Sequence, residues 1–72
     1  MILFLFESTH AVIAAEKRCG DAGISCAVIP VPRSISSQCG LCIEAAAADR
    51  ERVSALLREG GIVFSIHEEY VK

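Results

Sequence analysis

The stretch ILFLFESTHAVIAAEKRCGDAGISCAVIP, residues 2–30, decides the fold. Its apolar start, Met1–Phe6, reads as a buried strand. Ser8 and Thr9 are residues that favour a helix N-cap. Val12, Ala15, Cys19 and Ala22 then recur at 3- and 4-residue spacing, so a helix presents them on one face. Gly23 is a natural helix stop. Ile24–Ile29 is rich in β-formers and reads as a second strand. A strand, a helix and a strand in 30 residues make one crossover unit.

Working outward, Pro30, Pro32 and the serines from Ser34 to Ser37 mark a loop. Leu41–Ala45 follows as a third strand. Asp49–Glu59 is a second helix, with Val53, Leu56 and Leu57 as its apolar stripe, and Gly60 and Gly61 end it. Ile62–Ile66 closes the chain's pattern as a strand with Ile62, Phe64 and Ile66 on one face. The two halves echo each other: Gly23-Ile24 and Gly61-Ile62 each end a helix and open a strand. The order βαββαβ predicts an α+β, ferredoxin-like two-layer sandwich: a four-stranded antiparallel sheet with two helices on one face. Residues 1–72 leave no room for a linker and are expected to form a single domain.

That topology predicts where a functional loop sits. Strands one and two run the same way with strand three between them. The loop after strand two therefore shares an end of the sheet with the start of helix one. Pro30–Gly40 should lie near Ser8, Thr9 and His10, where unpaired N–H groups and a partial positive charge favour a thiolate or other anion.

The composition narrows the function classes. The chain is 53% hydrophobic with a mean hydropathy of +0.47, which argues against disorder. Net charge is −2 and the only adjacent basic pair is Lys17-Arg18, so a nucleic-acid partner is not expected. Met1–Phe6 stops at Glu7 with no basic residues ahead of it. It is too short for a signal segment or a membrane span. A cytoplasmic protein is expected, whose thiols stay reduced.

There are four cysteines, Cys19, Cys26, Cys39 and Cys42. Cys19 falls on the stripe of helix one, and Cys26 shares a strand face with Ile24 and Val28. Both read as small buried hydrophobes. Cys39-Gly40-Leu41-Cys42 is a C-x-x-C with several readings. A redox pair normally opens a helix, whereas this motif follows a loop and enters a strand. Two strand residues three apart point to opposite faces, so these sulfurs meet only if Gly40 forms a turn. A structural zinc site needs four ligands, and Cys19 and Cys26 lack the close spacing such sites use. Cys39 alone is the stronger candidate. It follows a polar loop and precedes a glycine that lets the backbone approach a partner closely. Arg33, six residues earlier, is a cation able to lower its pKa.

Phe6-Glu7-Ser8-Thr9-His10-Ala11, Ala15-Glu16-Lys17, Ala22-Gly23-Ile24 and Ile29-Pro30-Val31-Pro32-Arg33-Ser34-Ile35-Ser36-Ser37-Gln38-Cys39-Gly40 together resemble the selenium/sulfur carrier-like family of short bacterial proteins. The likeness covers nearly the whole chain, with Arg52–Gly61 fitting more loosely. Pro-x-Pro-Arg…Ser-Ser-x-Cys-Gly is its specific part. The resemblance implies a cysteine that holds sulfur or selenium as a persulfide or selenopersulfide, for transfer between donor and acceptor proteins. Cys39 occupies the matching position, with Ser37 and Gly40 beside it; Cys42 is outside the pattern. Such a carrier needs a thiolate in an exposed, electropositive setting, and no separate cofactor or metal. His10 is a candidate proton partner. His67, beside Glu68 and Glu69, reads as a solvated residue.

Two alternatives stand beside the carrier. One is a binding or dimerisation module without covalent chemistry; the other is a thiol–disulfide switch using Cys39 and Cys42. The module reading comes from the unbroken first strand. With helices on one sheet face, either Leu3 and Leu5 or Ile2, Phe4 and Phe6 must face the other side, with Ile29 and Val63 near them. Such a patch predicts a homodimer through the open face.

Overall fold

In the computed structural model, residues 1–33, 35 and 40–68 are described. The elements are β1 (Ile2–Phe6), α1 (Thr9–Asp21), β2 (Cys26–Pro30), β3 (Leu41–Ala45), α2 (Arg50–Glu59) and β4 (Phe64–His67). A single 3₁₀ turn, Ala47–Asp49, leads into α2. The strands form one sheet in the order β2-β3-β1-β4, and every neighbouring pair is antiparallel. This is the ferredoxin-like α+β sandwich expected from the order of elements.

Both helices end by the same device, which explains the glycine–isoleucine echo. Gly23 and Gly61 have φ of 74° and 69°, the left-handed region that glycine enters without a Cβ penalty. The turn lets the N–H of Ile24 donate to the Cys19 carbonyl, and that of Ile62 to the Leu57 carbonyl, each at 2.9 Å. Gly23 N–H donates to Gly20 O and Gly61 N–H to Arg58 O, completing a Schellman cap on each helix. The two isoleucine N–H groups are thereby committed to the caps. The strands accordingly begin at Cys26 and Phe64, two residues later than the apolar runs that contain them. Ala22, placed on the buried stripe from its spacing, is instead the exposed C-cap of α1.

The core lies between the sheet and the helices. Val12, Ala15 and Cys19 of α1 and Val53 and Leu57 of α2 cluster with Ile2, Phe4, Phe6, Ile43 and Ala45 of the sheet. Phe4 and Phe64 meet at 5.7 Å between ring centroids in a tilted arrangement. Arg18 joins the helices: its Nε donates to the Leu56 carbonyl at 2.9 Å, near the end of α2. A Cβ on Gly60 would stand 2.9 Å from the Arg18 side chain, so the smallest residue fits that crossing.

The strand registers settle which residues face away from the helices. Leu3 pairs with Glu44 and His67, Leu5 with Cys42 and Ser65, and Ile29 with Cys42. Leu3 and Leu5, not the phenylalanines, therefore occupy the helix-free face. That face is less open than a two-layer sandwich suggests, because Leu3 is 0% exposed within the single chain. Leu5 and Ile29 are half-buried, and Val63 is 64% exposed.

Candidate functional site

One end of the sheet gathers the elements around the cysteine loop. β1 ends there at Phe6, β2 ends at Pro30, and β3 and β4 begin there at Leu41 and Phe64. The α1 N-terminus follows β1 at the same end. Ser8 is extended (φ −148°, ψ 158°) and its Oγ accepts from the Ala11 N–H at 3.2 Å, so it is the N-cap anticipated. The first turn of α1 holds no acidic residue. His10 lies in that turn and is exposed.

The loop is closed where it leaves the sheet. Pro30 pairs with Leu41, and the next residue, Val31, donates its N–H to the Gly40 carbonyl at 3.0 Å. Ile35 N–H donates to Pro32 O at 2.9 Å, forming a turn that holds exposed Arg33 at its first corner. Gly40 has φ 76°, and no atom lies within 4 Å of where its Cβ would be. The backbone conformation favours glycine there, a reason beside the close approach that the sequence suggested. Cys39 and Ser37 lie outside the described residues; so do Glu69 and the residues after it.

The other cysteines divide between the two faces. Cys42 points to the helix-free side with Leu5 and is 0% exposed. Cys19 and Cys26 lie on the helix side, as packing residues should: Cys19 is fully buried and Cys26 packs half-buried against the core. Burial pushes the Cys19 thiol up to about 11, helped by the neighbouring Cys26 charge, a side-chain hydrogen bond to Cys26, and more weakly Asp49. The sheet thus stands between Cys42 and the Cys19–Cys26 pair, and one ion could not be shared by these three sulfurs. Among the described residues no group of three or more His, Cys, Asp or Glu is placed to hold a metal.

Glu44 went unnoticed in the sequence. It is 5% exposed on the helix-free face, level with Ala27 and Leu3. The available signal was a charge in an otherwise apolar strand. His67, read as solvated, is half-buried across Leu3 from it. No helix among the described residues is long and apolar enough to cross a membrane.

A family model described as "Putative Se/S carrier protein-like" matches residues 1–68. Among curated proteins, "Uncharacterized protein YtiA" of Escherichia coli (strain K12) is 46% identical over 41 residues. That stretch is 57% of this chain and 48% of the relative, so the match spans about half the length of that protein. No solved structure matches the chain. With a match from Met1 through Glu68, over a βαββαβ fold and a cysteine–glycine loop, the chain belongs to the Se/S carrier protein-like family.

Proposed function

We propose that the protein carries sulfur or selenium on Cys39, as a persulfide or selenopersulfide, between a donor and an acceptor protein. Family membership over residues 1–68 is the observation that supports this reading most directly. In the loading step the Cys39 thiolate attacks the outer sulfur of a donor persulfide. A new S–S bond forms at Cys39, the donor's S–S bond breaks, and the donor leaves as a thiolate. Electrons balance without a further oxidant. The setting is compatible with this chemistry: a loop held shut by the Val31–Gly40 hydrogen bond, exposed Arg33, and a helix N-terminus at the same end of the sheet. His10 is the proposed proton partner, and Ser37 and Gly40 flank the thiol. A reduced thiol is needed before each loading, which favours a reducing compartment such as the cytoplasm.

A second reading, a Cys39–Cys42 disulfide switch, is favoured by one observation. Gly40, between the two cysteines, has a left-handed backbone with φ 76°. Complete burial of Cys42 still argues against it as a thiol that another protein reaches. Dimerisation through the helix-free face is also proposed, now through Leu5 and Ile29, since Leu3 is covered within one chain.

Treatment with a low-molecular-weight persulfide, followed by mass measurement without reductant, tests the carrier. Cys39→Ala should abolish the added sulfur, and Cys42→Ala should retain it. Equal loss in both variants would replace the carrier by the disulfide switch. Loading of neither protein nor variant would leave a binding module.

A further inference from the structure

Two thiols remain that the carrier chemistry does not use. Cys19 sits on the core-facing stripe of α1, in its last turn, and is fully buried. Cys26 is the first residue of β2, an edge strand, and is half-buried. It lies in the row of the sheet that holds Ala45 and Ile2, both in the core cluster beneath the helices. The Schellman cap brings these two cysteines together. Gly23 reverses the chain, Ile24 N–H is bound to the Cys19 carbonyl at 2.9 Å, and Ile24 turns its side chain into the core. Cys26, two residues further along the extended chain, returns to the same side. Cys26 therefore packs against the core cluster to which Cys19 belongs, on the same side of the sheet and next to the cap.

We propose that Cys19 and Cys26 are a second redox site, a dithiol that hydrogen peroxide converts to an intramolecular disulfide independently of Cys39. Cys26 reacts first, because it is the member that solvent reaches. Its thiolate attacks one peroxide oxygen, the O–O bond breaks, and Cys26 becomes a sulfenic acid while the second oxygen leaves as water. The Cys19 sulfur then attacks the Cys26 sulfur. The S–O bond breaks, and the hydroxyl leaves with the Cys19 proton as a second water. Two thiols are oxidised and one peroxide is reduced. Cys19 is a weak nucleophile at neutral pH because its proton is held tightly. Its fixed place beside Cys26 compensates, since the second step is intramolecular. The bond pins the end of α1 to the start of β2 around the Gly23 turn.

Tryptic cleavage makes the test clean. Cuts after Arg18, Arg33 and Arg50 release Cys19 and Cys26 together in residues 19–33, and Cys39 and Cys42 together in residues 34–50. The reduced full chain is treated with hydrogen peroxide at neutral pH. It is then unfolded in iodoacetamide and digested without reductant. The expected product is peptide 19–33 unalkylated and lighter by two hydrogens, restored by a thiol reductant. It should form equally in the Cys39→Ser/Cys42→Ser double variant. In Cys19→Ala, dimedone should trap the sulfenic acid on Cys26; should that variant not fold, the mapping of the native chain decides alone. Recovery of peptide 19–33 with both cysteines alkylated would overturn the proposal. So would a disulfide joining 19–33 to 34–50.

Discussion

Replacing Gly40 by alanine separates two reasons for a glycine beside a functional cysteine. The position has φ 76° and open space around a Cβ, so a substitution meets no neighbour and the whole cost is conformational. A non-glycine residue held in the left-handed region costs about 1–2 kcal/mol. Alanine also restricts the unfolded chain, which returns about 0.4–1 kcal/mol. The net expectation is a loss of about 0–1.6 kcal/mol. Gly20 supplies the internal reference. It lies in α1, also has open space around a Cβ, and is not among the positive-φ glycines. Gly20→Ala should therefore stabilise, leaving a gap of about 1–2 kcal/mol between the variants, equal to the strain itself. In a domain of this size each kcal/mol moves Tm by about 4–8 °C, so urea and thermal unfolding both resolve the gap. If Gly40→Ala were as stable as Gly20→Ala, the left-handed conformation would not be required and the reasoning would fail.

Asparagine at position 40 carries the same argument to function. Asparagine enters the left-handed region more readily than alanine but is bulkier. If Gly40 serves to aim the chain at Cys39, Gly40→Asn should load persulfide faster than Gly40→Ala. If it serves to let a partner's backbone approach, the bulkier residue should load more slowly. A persulfide-loading time course with both variants distinguishes the two.

In a pulse of iodoacetamide on the folded chain, Cys39 should label first and Cys26 after it, with Cys19 and Cys42 protected; mass mapping that finds Cys19 labelled early would contradict its burial. The Cys19 thiol is raised from an ordinary 9.0 to about 11, so its contribution to stability is intact below about pH 9 and is lost as pH rises toward about 11. Urea midpoints for the protein and for Cys19→Ala should then converge across that window, and a constant difference would refute the shift. Arg18→Ala should cost about 1.5–3 kcal/mol, because it removes a charged donor from the part-buried Leu56 carbonyl. Glu59→Gln should cost under about 1 kcal/mol, since that carboxylate is exposed and 3.9 Å from Arg18.

The element order was legible because each helix has one apolar stripe and each ends at a glycine followed by isoleucine. Their boundaries were less so: an N–H can serve a helix cap or a sheet ladder, and the sequence Gly-Ile does not say which. The placing of Cys19 and Cys26 on one side of the sheet around the same cap was hidden for a related reason. Each residue alone reads as packing, and only the turn at Gly23 makes them neighbours. Cys39 was singled out by its motif and lies outside the described residues, while the left-handed conformation of Gly40 needed the backbone angle. The facing of β1 could not be read from β1 itself, since Ile2–Phe6 is apolar on both sides and an alternation without contrast has no sign. β3 holds the contrast. In Leu41–Ala45 the charge falls at Glu44, so Cys42 and Glu44 belong to one face, and Ile43 and Ala45 to the other. A carboxylate is the residue least suited to the layer beneath the helices, which assigns Cys42 and Glu44 to the helix-free side. Antiparallel pairing of Leu3 with Glu44 then carries Leu3 and Leu5 to that side and sends Ile2, Phe4 and Phe6 into the core. One charged residue on a neighbouring strand thus orients the whole first strand, and with it the surface on which any second copy of the chain would dock.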